Sequence, residues 1–293
     1  MKLDAGCRLS KTMARPLRTT LSALLIAVLF RAGGDAVPPS TADLPEIIRR
    51  GTATIQSDWA ADPDWAYVER DEVEKNGKKT SKTSQVVLMA GSDYNLPVAT
   101  DDQPISADQR KMELQKLKNE YKRRNREDPD TRDRRIAKYK KQRDENGSLL
   151  LNFPHAFNFQ LVGEEPKDGH PAFMLTGDPK KRSGPLSRAA KVLAGMNGTV
   201  WIDQEGFHAI RAECSVTAPV PIYGILARVL PGTKIILEFS PVSSSVWLVN
   251  RFSMNLTVSK LGFRSTEITN TTYSDYRPND VALQELLSEA DRP

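Results

Sequence analysis

The chain has 293 residues, long enough for one sizeable core, with 39% hydrophobic and 27% charged residues and a formal net charge of +5. The positive charge is concentrated: residues 1–36 carry six basic and two acidic residues, residues 106–147 carry fifteen and nine, and the remainder is net acidic. This excludes a chain-wide nucleic-acid-binding surface, and two cysteines, Cys7 and Cys214, exclude a disulfide-stapled scaffold.

Lys11, Arg15 and Arg18 precede an uninterrupted apolar run, Leu21–Phe30, followed by the small residues AGGDA ending at Ala36. This order is that of a secretory signal peptide, and the run is well short of the roughly twenty residues a spanning helix needs. Removal near Ala36 leaves Val37 at or near the mature N-terminus and predicts a periplasmic chain with residues 37–293 as a single domain. Cys214 is then the only cysteine, and on the apolar side of a strand it reads as a small buried hydrophobe.

A proline-rich spacer leads into a short helix at 41–50, with Leu44, Ile47 and Ile48 on one side. From Trp65 to Ala90 the pattern is that of two strands, WAYVERDEVEK and KTSKTSQVVLMA. Asn76-Gly77 lies between them, the dipeptide that a two-residue type I′ turn favours because both positions need positive φ.

Residues 106–147 form a charged helical insertion. Ser106 and Gln109 make a capping box, Leu114, Leu117 and Tyr121 a thin apolar stripe, Pro129 a break, and Asp130 the cap of a second helix ending at Gly147. So narrow a stripe predicts a segment lying on or projecting from the domain and contributing little to its core. Its basic runs KRRNR and RDRRIAKYKKQR could face an anionic membrane surface or an envelope protein. The interleaved Glu113, Glu120, Glu127, Asp128, Asp130 and Asp133 instead suit a solvated, ion-paired helix, and no nucleic-acid partner is expected.

Strands resume at 156–179 around an Asp168-Gly169 turn, followed by a short helix within 184–198. In GTVWIDQEGFHAIRAECSV two strands fold back on each other, with His208, Ile210, Ala212, Cys214 and Val216 alternating with a more polar set. Ile235, Leu237 and Phe239 alternate in the next strand, as do Val246, Leu248, Phe252, Met254, Leu256 and Val258 in the one after, across a polar Asn250. Such one-sided strands in succession predict an antiparallel meander, and a C-terminal tail at 279–293 carries a short helix that packs or frays.

No metal-binding or nucleophile motif occurs, and the three histidines, His155, His170 and His208, have no metal-ligand spacing. No catalytic residue, metal or cofactor is expected.

The segments FNFQLVGEEPKDGHPAFMLTGDP, GTVWIDQEGFHAIRAE, GILARVLPGTKIILEF, VWLVNRFSMNLTV and TYSDYR resemble an uncharacterised family of exported bacterial proteins, akin to the outer-membrane lipoprotein-sorting carriers. The resemblance spans residues 60–277 and departs from the carriers at the 106–147 insertion. It implies a mainly β fold with accessory helices: a strongly curved antiparallel sheet, or incomplete β-barrel, whose apolar concave side accommodates acyl chains. The implied function is that of an exported, non-enzymatic envelope protein binding lipid, acyl chains or lipoprotein, with Ile210, Leu237, Phe239, Phe252 and Met254 as the ligand-binding candidates. The alternative is a protein-interaction module working through the charged helix 106–147, and a hydrolase without a recognised motif is the third reading.

Overall fold

The computed structural model describes residues 43–180, 193–221 and 227–292. The expected signal segment 1–36 lies outside them, as does most of the helix expected within 184–198.

The chain opens with α1 (Leu44–Ala61), a short 3-10 turn (Asp62–Asp64) and the strands β1 (Trp65–Lys75), β2 (Lys78–Met89), β3 (Ser92–Thr100) and β4 (Gln103–Pro104). Helices α2 (Ala107–Asn125) and α3 (Pro129–Ala156) follow. Next come β5 (Phe157–Lys167), β6 (His170–Pro179), β7 (Met196–Asp203), β8 (Ala209–Val216), β9 (Val220–Pro221) and β10 (Ala227–Val229). The chain ends with β11 (Lys234–Pro241), β12 (Trp247–Lys260), β13 (Phe263–Pro278) and α4 (Asn279–Ala290).

Among the described residues thirteen strands join one open antiparallel sheet in the order β4-β3-β2-β1-β13-β12-β11-β8-β7-β6-β5, with β9 and β10 off this path. The two turn dipeptides behave as the sequence predicts: Asn76 and Gly77 have φ of 54° and 74°, Asp168 and Gly169 of 50° and 87°. The simple meander is modified at one point. β1 does not lie at an edge but pairs with β13 from Trp65↔Pro278 to Lys75↔Glu267. The two edges of the path are therefore β4 and β5, which are consecutive strands of the chain. Whatever connects them must pass over the sheet, and that connection is the charged segment.

This overturns the expectation that the segment adds little to the core. α2 begins with both bonds of the Ser106–Gln109 capping box and buries Leu114 and Leu117. They share a cluster with Ala66, Val87, Met89 and Leu96 of the sheet and with Ala282, Leu283 and Leu286 of α4. α4 is packed, not frayed: the Asn279 amide donates to the Leu88 carbonyl (2.9 Å) and its oxygen accepts from the Leu88 N–H (2.6 Å).

Arg124 is also buried. Its guanidinium donates to the carbonyls of Met89 (3.0 Å) and Ser92 (2.9 Å) and to the Ser92 hydroxyl (2.9 Å), and pairs with Glu120 (2.7 Å). A buried arginine is tolerated when its donors are satisfied in this way. The hydrogen bond from Arg123 and the Arg124 pair hold the Glu120 carboxyl down to about 2. Beyond α2 the chain wraps the β2–β3 turn, where Arg135 bridges the Ser92 hydroxyl (2.7 Å) and Glu127 (2.7 Å). Alternation along β1 and β2 separates the two helices. Ala66, Val87 and Met89 meet α2 and α4, whereas Tyr67, Val86 and Leu88 point to the side that α3 covers.

Two helices are longer than the sequence suggests. α1 runs past residue 50 to Ala61 because Ile47, Gly51, Ile55 and Asp58 form a buried stripe at helical spacing. α3 does not stop at Gly147 but continues to Ala156. Gly147 lies against the Trp59 indole, where an added Cβ would come within 2.4 Å, so its smallness serves close packing rather than a helix end.

Candidate functional site

Between the sheet and the pair α1 and α3 lies a cavity of about 520 Å³. α1 contributes Ile55 and Trp59, and α3 contributes Tyr139, Arg143, Leu150 and Phe153. The two ends of the wall differ in chemistry. Toward β7, β8, β11 and β12 it is apolar, built from Met196, Val200, Ala212, Ile235, Leu237 and Phe252. Toward β1, β13 and the 3-10 turn it carries Asp62, Tyr67, Glu69, Tyr273 and Tyr276.

Of the five ligand-binding candidates, Leu237, Phe239 and Phe252 line this cavity. Phe239 also touches the cluster on the other side of the sheet. Met254 is not part of the wall; it pairs with Ile235 and Thr269 farther along β12.

Ile210 faces the opposite side, buried against Ala172, Trp201 and Trp247. The cause is a β-bulge: Trp201 pairs with Arg211 and Ile202 with Ala209, which leaves Ile210 as the extra residue. One extra residue reverses the alternation, so Ala209 joins Ala212 and Cys214 on the cavity side. Asn250 is the extra residue of a second bulge, between Val249↔Phe239 and Arg251↔Glu238. It lets Val249 and Phe252 share the cavity face although an odd number of positions separates them.

The polar end was not among the sequence candidates. Tyr67 lies in edge-to-face contact with Tyr273, ring centroids 5.6 Å apart, and 5.5 Å from Tyr276. The Tyr276 hydroxyl donates to the Val249 carbonyl (2.6 Å). Among the described residues nothing bonds the Tyr67 or Tyr273 hydroxyl or the Glu69 carboxylate. Burial raises the pKa of all three tyrosines, and burial, then Asp71 and Asp93, raises that of Glu69. Asp62 is raised by burial and partly held back by Arg143, 3.6 Å away. Arg143 stacks over Trp59 at 4.2 Å, and its buried Nε has no hydrogen-bond partner. This end therefore offers unused hydrogen-bonding capacity and charge beside an apolar space.

Burial pushes the Cys214 thiol up to about 12, which leaves little thiolate at neutral pH. We expect Cys214 in the folded protein to resist iodoacetamide at pH 8 and to react in denaturant. Rapid labelling of the native protein, followed by mass spectrometry, would contradict the buried wall position.

The nearest arrangement to a catalytic pair lies beside the cavity. His208 Nδ1 bonds Asp58 Oδ2 at 2.8 Å, and because a carboxylate only accepts, the histidine donates. The other Asp58 oxygen accepts from the Trp247 N–H (3.2 Å), and the imidazole stacks on Trp247 at 5.3 Å. Both carboxylate oxygens thus tie α1 to β12 and to the β7–β8 turn. Gly206 in that turn leaves room for the imidazole, since a Cβ there would meet it at 2.6 Å. The pair is a structural clamp. Among the described residues no group of three or more His, Cys, Asp or Glu side chains is placed to hold a metal ion.

No family model and no curated protein matches the chain. Among solved structures it is similar to a domain described as an outer-membrane lipoprotein-sorting protein from Vibrio parahaemolyticus, at 11% identity and a TM-score of 0.32 over 82% of this chain and 99% of that one. It is also similar to a LolA superfamily protein from Nitrosomonas europaea, at 12% identity and a TM-score of 0.30 over 80% of this chain and 93% of that one. A third is the lipoprotein LppX from Mycobacterium tuberculosis, at 11% identity and a TM-score of 0.28 over 80% and 96%. These likenesses assign the chain no ligand, activity or partner.

Proposed function

We propose that this is a non-enzymatic binding protein of the bacterial envelope that holds one acyl chain of an amphiphilic lipid between its sheet and helices α1 and α3. The observation that carries this reading is the cavity itself, about 520 Å³ with an apolar wall at one end and free polar groups at the other. A volume of that size is within the range of ligand sites, roughly 300–1,000 Å³. If a methylene takes about the ~30 Å³ share of a water molecule, the space holds on the order of fifteen such groups. That suits one chain at a time. The chain would lie along Leu237 and Phe252, and the polar head would meet Tyr67, Glu69 and Tyr273.

A fluorescent fatty-acid titration, beside denaturation of Phe252→Ala, tests this. Phe252 is only half-buried and faces open space, so its truncation should cost clearly less than the ~3–5 kcal/mol of a packed-core phenylalanine. It should also weaken acyl binding. A full core-sized loss of stability, with no acyl binding by the unaltered protein, would remove the proposal. Mass spectrometry of an organic extract from protein purified from its native compartment then identifies the chain.

A further inference from the structure

The tip of the β12–β13 hairpin is built against the usual rules of a turn. β12 and β13 are the longest strands of the sheet, 14 and 16 residues, and close through Leu261-Gly262 after the pair Lys260↔Phe263. Leu261 has φ 50° and Gly262 φ 86°, the left-handed pair that a two-residue turn requires. At the first of these positions Asn, Asp or Gly is at ease, and leucine is not. The same leucine is 74% exposed, and Phe263 beside it is 81% exposed. The turn therefore bears both backbone strain and exposed apolar surface at a place where the fold needs neither.

We infer that this tip is a membrane-docking element that inserts Leu261 and Phe263 into a bilayer of anionic phospholipid. Three observations support it. The tip passes its neighbour on one side: β1 ends opposite Glu267, so Thr266 to Phe263 continue past it, while on the other side β10 pairs with β12 as far as Ala227↔Lys260, and every residue from Lys260 to Thr266 is exposed. At about 3.3 Å per residue β13 extends about 13 Å beyond β1, and Leu261, Gly262 and Phe263 lie beyond both neighbours, a reach that suits the roughly 5–10 Å depth at which apolar groups of surface-bound elements sit in the headgroup boundary. The apolar pair is also accompanied by positive charge: Lys260 and Arg264 flank it, and Lys78 begins β2 just after the neighbouring β1–β2 turn. None of these three makes an ion pair among the described residues. Apolar groups at a tip with unpaired cations just behind them match the layering of acyl region beneath anionic headgroups. A protein groove would have no need of that order.

The test is flotation of the purified protein with vesicles of phosphatidylglycerol and phosphatidylethanolamine, and with phosphatidylcholine vesicles as the neutral comparison. Leu261→Asn with Phe263→Thr replaces the apolar pair by residues better suited to a turn and a strand end. This variant should melt at or above the wild-type temperature yet bind anionic vesicles at least tenfold more weakly. Lys260→Gln with Arg264→Gln should weaken binding and flatten its salt dependence. Both variants should bind a fluorescent fatty acid as the wild type does, so failure here is separable from failure of the cavity reading. Wild-type protein that does not float with anionic vesicles, or a Leu261→Asn/Phe263→Thr variant that floats equally well, overturns the proposal. So does sedimentation showing that the tip joins two copies of the chain, with the variant monomeric.

Discussion

Replacing residues 106–147 by a short Gly/Ser linker should destroy cooperative folding and leave an insoluble or molten product. The reason is topological before it is energetic. The segment connects β4 to β5, the two ends of a path of eleven strands. At about 4.8 Å per strand spacing that path is roughly 48 Å along its surface. α3 has 28 residues, so at 1.5 Å each it is about 42 Å long and can cover most of that distance. A six-residue linker together with the retained Ile105 and residues 148–156 matches that distance only when almost fully extended, at about 3.3 Å per residue, which unwinds the end of α3 and draws Leu150 and Phe153 from the cavity wall. The same cut removes Leu114 and Leu117 from their contact with Val87, Met89 and Leu96, and takes Tyr139 and Arg143 from the cavity wall. A single Leu117→Ala should already cost about 2–5 kcal/mol, a large share of the roughly 5–15 kcal/mol that stabilises an ordinary domain. Circular dichroism and urea denaturation read both variants. A linker variant that unfolds cooperatively near the wild-type midpoint would show that the helices only decorate the sheet.

Local chemistry was legible in the sequence wherever the determining residues are neighbours. Asn76-Gly77 and Asp168-Gly169 encode their turns through backbone conformation alone, and Ser106 with Gln109 encodes the start of α2. The alternation of Ile235 and Leu237 places them on the cavity face, where the β8–β11 and β11–β12 registers run without a shift. What escaped was set at long range. Tyr67 and Tyr273 meet because β1 pairs with β13 across about two hundred residues of chain, and no local pattern announces that pairing. A strict period of two puts Ile210 on the cavity face, and the one extra residue in β8 turns it to the other. The apolar pattern understates the weight of α2 because one of its three buried side chains is Arg124, whose guanidinium is satisfied by carbonyls of the β2–β3 turn. In a sequence, such an arginine looks the same as one in water.

Filling the cavity should separate binding from stability more sharply than emptying its wall. Ala212 is buried on β8 between Val200 and Leu237 and lines the apolar end. In a close-packed interior Ala212→Phe would force its neighbours off their rotamers and cost about 1–3 kcal/mol or more. In an open cavity the ring instead enters free space, gains contacts with Leu237 and Phe252, and buries apolar area that contributes up to about 1.5–3 kcal/mol. These opposing tendencies fix the expected outcome: a denaturation midpoint equal to or above that of the wild type, with acyl affinity reduced by more than tenfold because the benzyl group occupies the path of the chain. Urea denaturation and the fluorescent fatty-acid titration give the two readings on the same preparation. A variant that loses several kcal/mol has met a filled core, and one that keeps both its stability and its full acyl affinity shows that the ligand binds elsewhere. Either result would sink the assignment of the apolar end as the acyl site. A stable variant that no longer binds would leave Tyr67, Glu69 and Tyr273 as the groups that receive the head of the amphiphile.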